Sequence, residues 1–279
     1  MLELSRNYLA FTLVLLLLWE YFFPREVISD LKQRWLNNFG LYLFNLLIKW
    51  GFTLLITLFS ISMITIKHEY TLIYLLENNL SPAYFLLLSL LIIDIFSYGI
   101  HRLFHTYKLL WCMHLVHHSD IQLDVTTNFR HHPFEQIATS LIFAIFMLFT
   151  QLPLKAMVIY AITSTIIQLW HHSNININTK IDRIMGWLIV TPRIHKVHHS
   201  AYIKETNSNY GTLFSCWDRL FSTFLSPYTT DKTTTFRVGL EYFRTNNEQT
   251  FWKILQQPLM MAKQSNKQNT DMQKETKNR

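Results

Sequence analysis

Asp94 to Ser119 reads DIFSYGIHRLFHTYKLLWCMHLVHHS, an apolar run that gives way to five histidines, at 101, 105, 114, 117 and 118, within eighteen residues. His101 and His105 stand four apart, so on a helix their azimuths differ by about 40° and both can reach one metal ion. His114, His117 and His118 fall at i, i+3 and i+4, again on one face. The same triplet recurs as His195, His198 and His199. Two further doublets, His131-His132 and His171-His172, lie between these groups. One ion takes about four to six ligands, so these imidazoles imply two ions, or one ion backed by a large set of supporting histidines. Imidazole suits iron, copper, zinc and nickel alike, so the spacing leaves the metal open. An isolated pair would more often be a chance surface pair, and His68, which has no partner nearby in the sequence, reads as a plain surface residue. Both triplets and the pair together are hard to reconcile with anything but metal binding.

Asp94, Tyr98, His101 and His105 fall at i, i+4, i+7 and i+11, a single helical stripe. A carboxylate in an apolar span is costly and faces the protein interior. A ligating histidine donates its second N–H to a carboxylate or carbonyl, which makes Asp94 a natural orienting partner.

Outward from this stretch, the chain is strongly apolar: half of its 279 residues are hydrophobic and 15% are charged, against about 25% in soluble domains. The apolar residues come in long blocks, at Tyr8–Phe23, Leu41–Ile66 and Ala83–Ile100, followed by a hairpin of Ile137–Thr150 and Leu154–Trp170 turned at Gln151-Leu152-Pro153. Blocks of this length read as membrane helices, with Lys67–Leu80 as a loop and the first block as an uncleaved anchor, while the hairpin's short arms either cross thinly or only dip in before returning to the histidine side. Crossing back and forth, they put every histidine except His68 on one side. Of the 25 Lys and Arg, that side holds three in 24–38, three in 101–135 and fifteen from 171 onward. Such an excess marks the cytoplasmic face. The expected fold class is therefore all-α: multi-pass membrane helical hairpins with a cytoplasmic helical cap around a histidine-rich dimetal site. Four regions follow: anchor helices and loops in 1–82, a catalytic domain in 83–227, an amphipathic segment in 228–262, and a disordered tail in 263–279.

The net charge is +7, yet the basic residues form no stripe with interleaved aromatics. That pattern does not suit nucleic acid, and anionic lipid headgroups suit it better. Cys112 and Cys216 do not make a disulfide framework, and a reducing cytoplasmic face suits them.

Together these residues resemble the fatty acid hydroxylase / sterol desaturase superfamily of integral-membrane, histidine-ligated di-iron enzymes. Its H-x(3,4)-H, H-x-x-H-H and second H-x-x-H-H boxes match His101–His105, His114–His118 and His195–His199. The resemblance runs from about Leu86 to Leu225. Arg130-His-His132-Pro133-Phe-Glu135 is similar to the family's arginine, His-Pro and glutamate segment, which favours His132 over His131. His172-Ser173-Asn174 is similar to its His-Ser/Ala-Asn step and favours His172 over His171. Thr191-Pro192, Asn209-Tyr210-Gly211 and Trp217-Asp218-Arg219 also match.

The resemblance implies ten metal ligands, His101, His105, His114, His117, His118, His132, His172, His195, His198 and His199, supported by Asp94, Tyr98, Glu135, Asn209 and Asp218. It implies two Fe ions that use O2 to oxidise a C–H bond of a lipid, a fatty acyl chain or a sterol, most simply by hydroxylation. The same family also desaturates and cleaves ether lipids as alkylglycerol monooxygenases. The chain carries no flavin, nicotinamide or fused haem-binding fingerprint, so a separate electron donor of cytochrome b5, ferredoxin or reductase type is implied. The expected location is the bacterial inner membrane or the endoplasmic reticulum, with the histidine site facing the cytoplasm. Two other classes compete. A histidine-rich metal transporter would carry its ionisable residues near the bilayer midplane, whereas these cluster beyond the span ends. A membrane haem protein needs two axial histidines, for which the tandem boxes are too crowded.

Overall fold

Ser81-Pro82 opens the helix that decides the architecture. Proline at the first helical position has no N–H to lose and a φ already set for helix, and α4 runs from Pro82 to Thr106 in a computed structural model of the protein. Tyr107 then turns extended, at φ −92° and ψ 121°, and the chain re-enters helix as α5, Lys108–His118. The first pair of histidines therefore stands on the last turns of α4 and the first triplet on α5, which packs back against it. The structure describes residues 2–63, 72–228 and 236–263.

The remaining helices are α1 (Leu2–Phe22), α2 (Leu31–Met63), α3 (Leu72–Asn79), α6 (Pro133–Thr150), α7 (Leu154–His172), α8 (Thr179–Met185), α9 (Pro192–His198), α10 (Ile203–Thr206) and α11 (Cys216–Leu220), with a 3-10 turn at Val125–Phe129 and a last helix, α12, at 251–263. Among the described residues there is no β-strand. The all-helical expectation therefore holds. Two helices, α4 and α6, are long and apolar enough to cross a membrane, and α1 contains a shorter apolar run, Asn7–Phe22. The hairpin expected at 137–170 forms as α6 and α7. Gln151 ends α6 in the left-handed region at φ 54°, and Pro153 precedes α7.

Two elements depart from the sequence reading. Within the expected loop 67–80, Leu72–Asn79 is helical, because Leu72, Leu75 and Leu76 already carry helical spacing. Residues 64–71, with His68, lie outside the described residues, as does the tail from 264 onward. The polar stretch before the second apolar block is also helix, and α2 starts at Leu31. Arg34, Asn37 and Asn38 are buried there, at 7%, 4% and 0% exposure, because their side chains hold the cap. Arg34 grips Asp120 through Nε at 3.0 Å and Nη2 at 2.9 Å, and donates to Asp124 through Nη1. A bidentate guanidinium–carboxylate pair fixes orientation as well as distance. Burial alone would raise the Asp120 carboxyl, but Arg34 and Arg130 outweigh it and hold it at about 2.

Arg130 completes this frame. It is buried, and donates to the carbonyl of Val116 at 2.9 Å, to Ser119 Oγ at 2.8 Å and to Gln249 Oε1 at 2.8 Å. A cation at the C-terminal end of α5 meets the negative end of the helix dipole and its unpaired carbonyls. Apolar packing joins the same parts. Leu41, Cys112, Leu115, Val116, Leu240, Phe243 and Ile254 form one core of α2, α5 and the C-terminal region, and Ile93, Leu152, Ala156, Tyr160 and Leu213 form another of α4, α7 and the loop before α11.

Candidate metal centre

Five elements bring the histidines together: the end of α4, α5, the start of α6, the end of α7, and α9. Thr191 starts α9 by capping it, its Oγ1 accepting from Ile194 N at 3.4 Å, with Pro192 in the first turn. This seven-residue helix and its C-cap, His199, hold the second triplet. Two groups result, His101, His105, His114, His118 and His198, and His117, His172, His195 and His199; in each, one potential ligand atom per residue lies within 4.8 Å of all the others. His118 and His199 stack between the groups, ring centroids 4.4 Å apart.

The protonation of several rings follows from their partners, since a carbonyl or carboxylate can only accept. His101 Nδ1 faces the Tyr210 carbonyl at 2.8 Å, His198 Nδ1 the Ser208 carbonyl at 2.7 Å, and His172 Nδ1 the Gln168 carbonyl at 2.7 Å. His114 Nδ1 lies 2.8 Å from Glu135 Oε1. Each Nδ1 therefore carries the hydrogen and leaves Nε2 a bare lone pair. His172 Nε2 faces both His117 Nε2 and His195 Nε2 at 3.0 Å, and His195 Nε2 faces His199 Nε2 at 3.1 Å; His114 Nε2 faces His118 Nε2 at 3.2 Å.

These contacts fit a metal better than they fit hydrogen bonds. The single lone pair on His172 Nε2 cannot accept from two neighbours at once. With metal–nitrogen bonds of about 2.0–2.1 Å, donors sharing an ion sit about 3.0–3.4 Å apart, which is the spacing seen. His105 has both ring nitrogens buried without a hydrogen-bond partner, and His198 Nε2 is unpartnered as well. An unsatisfied buried polar atom costs about 1–3 kcal/mol. Burial and then mutual repulsion push His117, His118, His195, His198 and His199 far below the ordinary imidazole range. The rings are thus neutral, the form that ligates.

The loop 207–212 does much of the orienting. Asp218 accepts from the N–H of Tyr210 at 2.7 Å and of Gly211 at 2.8 Å, and from Thr223 Oγ1 at 2.7 Å. Asn209, in the left-handed region at φ 54°, bridges the Ile194 carbonyl and both backbone polar groups of Leu225. Between them they aim the Ser208 and Tyr210 carbonyls at His198 and His101. Glycine is required at 211: a Cβ there would come 2.6 Å from the Phe214 carbonyl and 2.9 Å from Asp218 Oδ2.

Of the ten histidines expected as ligands, nine fall in the two groups, and His132 does not. Pro133 opens α6, so His132 becomes its N-cap at φ −75° and ψ 140°, with Nδ1 accepting from Phe134 N at 3.2 Å and Nε2 3.3 Å from the Leu255 carbonyl. His131, one step earlier, faces the site: its ring stacks on His117 at 4.5 Å, and its Nδ1 lies 2.9 Å from Glu135 Oε1. His114, His131 and Glu135 form a third close group. His171 stacks on His195 at 3.9 Å, beside the second group. Asp94 orients no histidine. Its oxygens accept from Tyr160 Oη at 2.9 Å, Trp217 Nε1 at 2.7 Å, Leu213 N at 3.2 Å and Phe214 N at 3.3 Å, which fastens α4 to α7 and to the loop before α11. Tyr98 meets Thr223 Oγ1 at 2.8 Å, the hydroxyl that also donates to Asp218, and so braces the loop that carries Tyr210 rather than a ring nitrogen directly. The Ser208, Tyr210 and Gln168 carbonyls were out of reach of sequence reasoning, because a backbone carbonyl leaves no residue-type signal.

Residues 86–223 match the fatty acid hydroxylase family. Among curated proteins, an ornithine lipid hydroxylase, OlsE, of Rhizobium tropici is 32% identical over 146 residues, covering 52% of this chain and 43% of that protein. An alkylglycerol monooxygenase of Xenopus tropicalis is 30% identical over 138 residues, 50% of this chain and 30% of that one, and the human protein of that name is 28% identical over 137 residues, 47% and 28%. The matched part thus spans less than half the length of these relatives. No solved structure matches the chain. Three histidine boxes converge on one site inside the segment, residues 86–223, that matches the fatty acid hydroxylase family.

Proposed function

We propose that this protein is a membrane-bound, O2-dependent di-iron oxidoreductase that hydroxylates a C–H bond of a lipid. The observation that carries the reading is the convergence of nine imidazoles in two buried groups within a segment matching a hydroxylase family. His101, His105, His114, His118 and His198 would hold one iron, and His117, His172, His195 and His199 the other, with His131 the candidate for a tenth ligand. Two irons supply what no side chain offers, activation of dioxygen and removal of hydrogen from a bond with neither an acidic proton nor an electrophilic carbon.

The chain's own part is positional. Ser208, Tyr210, Gln168 and Glu135 hold four rings with the ligating nitrogen bare, and Asp218 and Asn209 hold the loop that carries two of those carbonyls. Multi-pass topology with the histidines at the cytoplasmic side is supported by the two long apolar helices and the one-sided distribution of Lys and Arg. The substrate would then reach the site from the bilayer, and electrons would come from a separate redox protein. Ether-lipid monooxygenation is the second reading, favoured by the similarity to alkylglycerol monooxygenases.

The test is turnover of a total lipid extract by iron-loaded protein under 18O2, with an added reductase, followed by mass spectrometry. Lipids gaining one labelled oxygen support hydroxylation, and labelled aldehyde with free glycerol lipid supports the ether reading. Lipids losing two hydrogens without gaining oxygen would contradict both.

A further inference from the structure

α8 turns its apolar side outward. Asp182 is fully buried, where it accepts from the Tyr228 hydroxyl and lies 3.9 Å from Arg193 Nε. Ile181 and Ile184 on the same helix, and Trp187 and Leu188 just after it, are 53%, 73%, 68% and 62% exposed. A surface helix in water buries its apolar residues, whereas the buried residue of α8 is Asp182. The arrangement is held rigidly: Leu188 accepts from Ser215 N at 3.1 Å, and the Gly186 carbonyl from Ser215 Oγ at 2.7 Å and Arg219 Nη2 at 2.8 Å.

The anchor point fixes where this face sits. The neighbouring residues Leu213, Phe214 and Trp217 all donate to Asp94, seven residues before His101 and thus about 10 Å nearer the middle of α4. The exposed face is therefore fastened beside the apolar part of a helix long enough to cross a membrane, not beyond its end. Leu220 and Phe221, 66% and 41% exposed, extend it, and Phe221 stacks on Tyr98 at 5.3 Å, one turn before His101. Lys180, Arg183 and Arg219 border it, with the Arg219 guanidinium 4.7 Å above the Trp187 ring. Apolar side chains with tryptophan and a basic border match the boundary between acyl chains and anionic headgroups.

We propose that Ile181, Ile184, Trp187, Leu188, Leu220 and Phe221 form a collar inserted into that boundary of the bilayer. The collar seats the cap at lipid level, with Phe221 reaching the side chains next to the first histidine group. The inference rests on the reading that α4 crosses the bilayer, and its test separates the two.

Full-length protein carrying I184C or L188C is labelled with bimane and reconstituted in nanodiscs of phosphatidylcholine and phosphatidylglycerol. I145C on α6 is the control for lipid exposure, N246C the control for water, and signal from the native cysteines is subtracted. Quenching of 184 and 188 by brominated acyl chains as strongly as 145, with iodide quenching 246 several-fold more, supports the collar. Iodide quenching of 184 and 188 as strong as at 246, while 145 still answers to bromolipid, overturns the collar and leaves the membrane helices standing. Protection of 184 and 188 from both quenchers means that protein covers the face, which also overturns it. Loss of the bromolipid response at 145 removes the membrane reading itself.

Discussion

The backbone of Tyr210 links Asp218 to His101: the carboxylate accepts its N–H at 2.7 Å, and its carbonyl faces Nδ1 of His101 at 2.8 Å. An acid 117 residues away in sequence thereby sets the tautomer of a ring in the metal centre. Asp218→Asn keeps the shape but replaces one oxygen by an NH2, which removes either the acceptor for the Gly211 N–H or the one shared by the Tyr210 N–H and the Thr223 hydroxyl. Loss of such support lowers metal affinity by about 10–100-fold. Competition with a graded series of chelators measures it, and unchanged affinity would mean that the loop does not position the ring.

His131 and His132 should separate cleanly. His131→Ala removes a ring stacked on His117 and a partner of Glu135, so iron retention and turnover should fall together. His132→Ala removes a helix cap, which costs about 0.5–2 kcal/mol of stability and leaves the iron in place. Iron content beside a thermal unfolding curve distinguishes them, and the opposite pattern would return His132 to the ligand set.

Acid should loosen the cap. Burial holds His117, His118, His195, His198 and His199 below their unfolded pKa of about 6.5. Below that pH the unfolded chain binds protons that the folded one refuses, so stability is full above about 6.5 and declines as pH falls toward the folded values. Each such ring contributes up to about 1.4 kcal/mol per pH unit. Unfolding of chelator-treated protein between pH 7.5 and 5 should show a steep decline, and a flat profile would mean that the rings are not buried neutral.

The helical class, the hairpin expected at 137–170 and eight of the clustered histidines were legible in the sequence, because all three rest on period, while His172 came only with the family resemblance. A 3.6-residue repeat puts His114, His117 and His118 on one face wherever the helix lies, and an apolar run of sufficient length has few alternatives to a long helix. What escaped depended on long-range contacts. Arg34 reads as a loop residue until Asp120 is placed beside it. His132 reads as the ligand until Pro133 makes it a cap. Asp94 shares a stripe with His101, and only the loop 213–217, folded back against α4, shows which partners claim its oxygens.

Metal analysis of the purified, folded protein bears most directly on the centre itself. Two buried histidine groups call for close to two irons per chain, with no haem absorption band, and for loss of both metal and oxygen-dependent lipid oxidation in His118→Ala or His199→Ala. A protein that keeps its fold and activity without metal, or that binds a single haem, would contradict the di-iron centre.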